Sequence, residues 1–200
     1  MALVGYRDLA WLKSRILPAD MSEETTFDTD LSNIGLGVAS AFDRYTARKL
    51  RREVGHVYTT PADIEDVIVN LYPIEEITEA ELVVDGVASD ISDAIRNTLR
   101  GAGIVYFHGP LSVNKDLLRL TITGGFWCQD GDEEQPEGSE AIPEDLLNAW
   151  VAQVRAICDA ENTFRQKGAE KPDKKALTAG GNLTGFTEGV KQTLQLYIRF

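Results

Sequence analysis

The spacing of apolar residues changes twice along this chain, and that change constrains the fold more than any other feature. Up to about residue 55 large apolar side chains recur every three or four positions. From 56 to 128 they recur every second position, and from 143 the helical spacing returns. Helical segments on either side of a sheet-forming stretch must pack on each other, because neither alone can cover its apolar face. The expected class is α+β. It is a small helical bundle of two N-terminal helices plus one later helix, with an inserted antiparallel β domain and an extended C-terminal arm ending in a short helix.

Residue by residue, Tyr6, Leu9, Leu12 and Ile16 form a first helical stripe with Trp11 beside it, and Pro18 stops it. A polar connector, 19–30, leads to a longer helix carrying Leu31, Ile34, Val38, Phe42 and Tyr45, with Asp28 or Asp30 as N-cap. Gly35, Gly37, Ala39, Ser40 and Ala41 interrupt this helix with small side chains, which predicts close approach of a neighbouring helix. It leaves through Arg44, Arg48, Lys49, Arg51 and Arg52, at its negative dipole end. Strands are expected at 56–60, 66–72, 81–87 with an Asp85-Gly86 turn, 104–110 and 118–123. The stretch 129–141 is an acidic solvated loop. Pro143 opens a helix with Leu146, Leu147, Trp150, Val154, Ile157 and Cys158 on its apolar face. The expected boundaries are 1–55 and 142–164 for the helical body, 56–128 for the β domain, 129–141 for the loop and 165–200 for the arm. Trp11 and Trp150 are expected in the core.

The formal net charge is −12, divided as −15 over residues 1–150 and +3 over 151–200. Such a body does not wrap DNA by neutralising phosphates. No apolar run approaches the roughly 20 residues that span a bilayer, and the first residues lack the pattern of a secretory signal. Cys128 and Cys158 read as reduced cytosolic thiols. No zinc-ligand spacing, phosphate-cradling loop or nucleophile elbow is present. Gly101-Ala102-Gly103 only begins like a dinucleotide fingerprint, and Asp28-Thr29-Asp30 begins a calcium-loop pattern whose turn glycine is replaced by Asn33. His56 and His108 have no visible catalytic partner, and the sequon Asn182-Leu183-Thr184 has no meaning without secretion. No catalytic, cofactor or metal site is expected. The run Arg44, Arg48, Arg51 and Arg52 reads as a helix end facing solvent or another subunit. The alternative is a small DNA-binding protein that uses the same arginines. The tip, Leu194, Leu196, Tyr197, Ile198, Arg199 and Phe200, is too apolar for a free end and is expected to order by docking onto a partner.

In their order along the chain several short segments resemble the head–tail connector (adaptor, or head-completion) proteins of long-tailed bacteriophages and gene-transfer particles. These are Asp8-Leu9-Ala10-Trp11-Leu12-Lys13, Phe42-Asp43-Arg44-Tyr45-Thr46-Ala47-Arg48-Lys49-Leu50, Tyr72-Pro73-Ile74 and Val84-Asp85-Gly86. Leu120 to Trp127, Ile142 to Trp150 and Val190 to Tyr197 complete the series. The β insertion is larger than in the minimal helical members. The resemblance implies a non-enzymatic subunit of the virion neck, made in the host cytoplasm and needing no cofactor. It implies a homo-oligomeric, dodecameric ring that docks under the portal protein through its C-terminal arms and receives a stopper or tail-completion protein below. It further implies genomic DNA passing through the lumen without sequence-specific contact, and no membrane partner. An acidic channel wall is expected, since it would let DNA slide. Removing 186–200 is expected to abolish portal attachment and leave the body folded.

Overall fold

The computed structural model describes residues 3–23, 25–63, 65–111, 116–161 and 185–198. The chain forms two compact units, one of Met1–Ala47, Cys128–Glu134 and Ile142–Phe200, the other of Arg48–Trp127 and Gln135–Ala141. The α+β class is as expected, with helices towards both ends and the sheets inserted between them. The chain passes from the helical unit to the β unit after Ala47, so 48–55 belong to the β unit, whose first strand starts at Glu53.

The helical unit contains α1 (Leu9–Ile16), α2 (Asp28–Thr46), α3 (Glu144–Glu161) and α4 (Glu188–Gln195). The Asp8 carboxylate caps α1 by accepting the Trp11 N–H at 2.9 Å. Tyr6 lies before the helix and not on its stripe, yet it is fully buried. Its ring stands edge-on to Trp150, 5.7 Å between centroids. Trp11 is only half-buried, its ring covered by the Arg7 and Arg15 guanidiniums at 5.3 and 5.2 Å, so of the two expected core tryptophans only Trp150 is enclosed. Phe27, not an aspartate, occupies the N-cap of α2. Asp28 instead lies in the first turn and pairs with the Lys13 ammonium at 2.7 Å, tying α1 to α2.

The small residues of α2 have two different uses. A Cβ on Gly35 would collide with the Val4 carbonyl and press on the Trp150 ring. The indole N–H of Trp150 donates to the Gly35 carbonyl at 3.0 Å, so the missing side chain lets α3 reach the α2 backbone. Gly37 meets nothing within 4 Å and faces outward with Leu36 and Ser40.

The β unit contains β1 (Glu53–Pro61), β2 (Asp66–Ile68), β3 (Ile74–Val84), β4 (Val87–Asp90), β5 (Ile95–Leu99), β6 (Ile104–Phe107), β7 (Leu117–Gly124), β8 (Phe126–Trp127) and β9 (Glu140–Ala141). A four-stranded antiparallel sheet runs β1-β7-β3-β4, and a three-stranded one runs β2-β6-β5. Their inner faces share one core, with Leu118, Leu120, Ile122 and Ile74 from the first sheet and Val67, Val105 and Phe107 from the second. The outer face of the larger sheet follows from register. Thr59, Arg119, Glu81 and Asp90 form one row, and Pro61, Leu117, Val83 and Ala88 the next. Strands β8 and β9 pair in parallel, so the expected acidic loop ends in a strand and is shared between the units.

Gly35→Ala should lower the thermal midpoint, since overpacking costs about 1–3 kcal/mol. Gly37→Ala should raise it through the roughly 0.5–1 kcal/mol penalty of a mid-helix glycine. Melting curves of the two variants check both signs.

Candidate functional site

The chemistry-bearing residues are absorbed by the fold. His56 Nε2 lies 3.1 Å from the Asn70 Oδ1, to which its N–H can donate, and its Nδ1 faces Glu53 at 3.0 Å; all three belong to the β unit. His108 is exposed at the end of β6. Gly103 sits at φ +68°, where a Cβ would strike the Tyr72 ring, so this glycine serves a turn and not a phosphate. Asp28 is engaged by Lys13, which leaves no calcium loop. Cys128 and Cys158 are buried and not joined by a disulfide. Among the described residues no group of three or more histidine, cysteine or carboxylate side chains converges for a metal, and no helix is long and apolar enough to cross a membrane.

The basic run does not form the continuous helical face its spacing predicts. Ala47 turns into the left-handed region at φ 54° and ends α2, so only Arg44 of the four arginines is helical. Arg48 is buried in the β unit. Its guanidinium lies on the Tyr72 ring, 3.2 Å from the centroid, and donates to the Tyr72 carbonyl. Arg52 forks onto both carboxylate oxygens of Glu75 at 2.8 Å, and this hydrogen bonding raises its pKa further. Arg48 and Arg52 are therefore internal braces of the β unit and not interface cations. Arg44 and Arg51 are exposed, and neither has an acidic partner among the described residues. A DNA contact through all four, the alternative reading, has lost the shared face it needed.

The C-terminal segment is the larger correction. Phe186 enters the helical unit with its ring edge-on to Phe42 and Tyr45, at 5.3 and 5.6 Å. The buried Gln153 amide donates to the Gly185 carbonyl and accepts the Thr187 N–H, both at 3.3 Å, and so fixes the start of α4. Val190 and Leu194 are buried, and the Tyr197 hydroxyl donates to Asp145 at 2.7 Å. The described part of the C-terminal segment thus packs into the core of its own subunit. Leu194 is core and is withdrawn as a docking residue. Truncation at 186 would strip the helical body of Phe186, Val190 and Leu194. Of the other docking candidates, Leu196 is 75% exposed, Tyr197 and Ile198 are half-buried, and Arg199 and Phe200 lie outside the described residues, as do the arm 162–184 and its sequon. Phe186 and Gln153 went unread in the sequence. The signal for Phe186 was a lone large apolar residue just before the Thr187 N-cap of α4, a position from which a side chain can pack back onto the core.

Three surface features remain open among the described residues. The outward face of α2 presents Leu36, Gly37, Ser40 and Arg44. An open groove of about 470 Å³ in the helical unit is lined by Arg15, Asn148, Val151, Ala152, Arg155 and Asp159. In the β unit Val54, Val57, Val87 and Leu117 are exposed.

No family model matches the chain, and no curated protein does. Its fold is similar to those of several solved chains, among them two from gene transfer agent particles. One comes from the neck of an empty gene transfer agent particle computed with C6 symmetry, at 15% identity and TM-score 0.60, covering 100% of this chain and 94% of that one. The other comes from the virion of a native gene transfer agent particle, at 15% identity and TM-score 0.58, covering 96% of this chain and 89% of that one.

Leu194→Ala and Phe186→Ala should each destabilise the protein by about 2–5 kcal/mol, the usual cost of emptying a core site. Leu196→Ser should change stability by less than about 0.5 kcal/mol. Denaturant titration of the full chain measures all three.

Proposed function

We propose that this chain is a structural adaptor subunit in the neck of a tailed phage or phage-like particle. It forms a homo-oligomeric ring, dodecameric in the complete particle, that docks under the portal protein. It joins the DNA-filled head to a stopper or tail-completion protein, and genomic DNA passes through the lumen without sequence-specific contact. The observation that carries the reading is a fold likeness spanning the whole chain, both units included, to a chain from a particle neck. A six-fold axis, as used for that neck, is compatible with twelve copies. The proposed role is non-enzymatic, and the chain's strongly negative charge suits a channel that must release DNA.

The surfaces divide by use. The outward face of α2, where Gly37 leaves open space beside Leu36 and Arg44, is the lateral contact between copies in the helical unit. Small residues let a neighbouring subunit approach closely, and a heterologous contact repeated by rotation closes a ring. Portal docking uses the exposed side of the C-terminal tip, centred on Leu196 and continuing through Tyr197 and Ile198 to Arg199 and Phe200.

Leu196→Asp places a charge on an exposed side chain and should leave the melting temperature near the wild-type value, and Gly37→Leu fills open space and should melt no lower than the wild type, since it too removes a mid-helix glycine. Particles carrying either one should show a loss of joined tails by negative-stain imaging, with full heads accumulating. Joined tails at the wild-type frequency in both variants would overturn the assignment of these surfaces.

A further inference from the structure

Among the described residues no further strand pairs with either edge of the four-stranded sheet, and the geometry of the two edges is complementary. Successive strands in β1-β7-β3-β4 are antiparallel, so the edge strands β1 and β4 run in opposite directions. A second copy placed beside the first, with its β4 against β1, therefore continues the antiparallel pattern without inversion.

Hydrogen-bond parity gives the register. The Ala62 N–H donates to the Asp116 carbonyl, which fixes 62, 60 and 58 as the positions bonded to β7. Val57 and Thr59 then turn their main-chain groups away from the sheet. At the other edge the Ile91 N–H donates to the Ala80 carbonyl, so 91, 89 and 87 face β3 while Ala88 and Asp90 face away. All four side chains, Val57, Thr59, Ala88 and Asp90, are exposed on the same outer face of the sheet. Each edge thus offers the same short segment of unpaired backbone. One register, Val57 with Asp90 of the next copy and Thr59 with its Ala88, satisfies both pairs together. Features at the ends keep the open stretch short: Gly55 at φ +66° lies in a bulge, and Pro61 carries no N–H.

Charge selects this pairing over its rivals. Antiparallel addition sets the C-terminal end of β4, with Asp90 and Asp93, towards the N-terminal end of β1, where Arg51 is exposed without a described partner and the Glu53 carboxylate is already paired with Lys49. Pairing β4 with β4 would bring Asp85, Asp90 and Asp93 against their own copies. Pairing β1 with β1 would leave Arg51 beside the apolar Pro61 end and would close a dimer, which uses up the edge that a ring needs.

We propose that copies of this chain join head to tail by β-strand addition, the β1 edge of one subunit accepting the β4 edge of the next. The inference rests on the ring reading above and adds the β unit as a lateral contact within it.

Paired cysteines test it. In one subunit Thr59 and Ala88 lie three strand spacings apart, roughly 14 Å at 4.7–4.9 Å each, beyond disulfide reach. Between copies the predicted pair has Cα atoms about 5.5 Å apart, within it. Full-length chain carrying Thr59→Cys and Ala88→Cys is incorporated into particles, mildly oxidised and run on a non-reducing gel. The expected result is a ladder of covalent multimers from the double variant, its loss in either single variant, and slower formation when Arg51→Glu is added. If rings are visible in the particles but the double variant stays monomeric on the gel, strand addition is wrong and the ring reading stands. Dimers from a single variant would replace it with like-edge pairing. Particles whose necks contain no ring of this chain would overturn both.

Discussion

The helical unit depends on one hydrogen bond made through a missing side chain. Trp150 on α3 reaches the Gly35 carbonyl of α2 because Gly35 leaves the space for its ring, and Tyr6 and Val4 close around the same point. An indole N–H buried without a partner would cost about 1–3 kcal/mol. The bond therefore fixes both the depth and the rotation of α3 against α2. Segments more than a hundred residues apart meet there, which is how a chain can insert two sheets between its helices and still form one helical core.

The same economy disposes of the features that looked most like sites. Arg48 is held on Tyr72 and Arg52 on Glu75, and so two of four apparent interface cations stabilise the β unit from within. Lys13 and Asp28 neutralise each other between α1 and α2. Phe186, Val190 and Leu194 complete the helical core from the C-terminal side, which explains why the end of the chain carries so much apolar surface without needing a partner. What is left for other molecules is modest: one face of α2, the tip after Leu194, and two sheet edges.

The sequence was legible wherever a periodic pattern met a strong stop signal. Pro18, Pro143 and the Asp85-Gly86 turn lie where the elements end or begin, and the alternation Leu118, Leu120, Ile122 marks the inner face of β7. Register and long-range pairing were not legible. Strand β5 was missed because Ile95-Arg96-Asn97-Thr98-Leu99 is polar in composition and is held by pairing to β6. The basic run was misread because charge spacing continues past Ala47, while the helix ends there in a left-handed turn that an alanine does not announce. The terminus is not the unanchored end its apolar composition suggests, because Gln153 on α3 clamps the start of α4 through two backbone groups. A lone buried glutamine has no local signature.

The ring proposal rests on a fold shared along the whole length of the chain with a chain from a particle neck, and on small exposed surfaces in both units. The most direct measurement is a reconstruction, without imposed symmetry, of the neck of particles from cells that make this protein. The account predicts a closed ring of this fold between head and tail, with helical and β units both in contact with the neighbouring copies. Complete necks from which this chain is missing, or in which it occurs as a single copy off the axis, would contradict it.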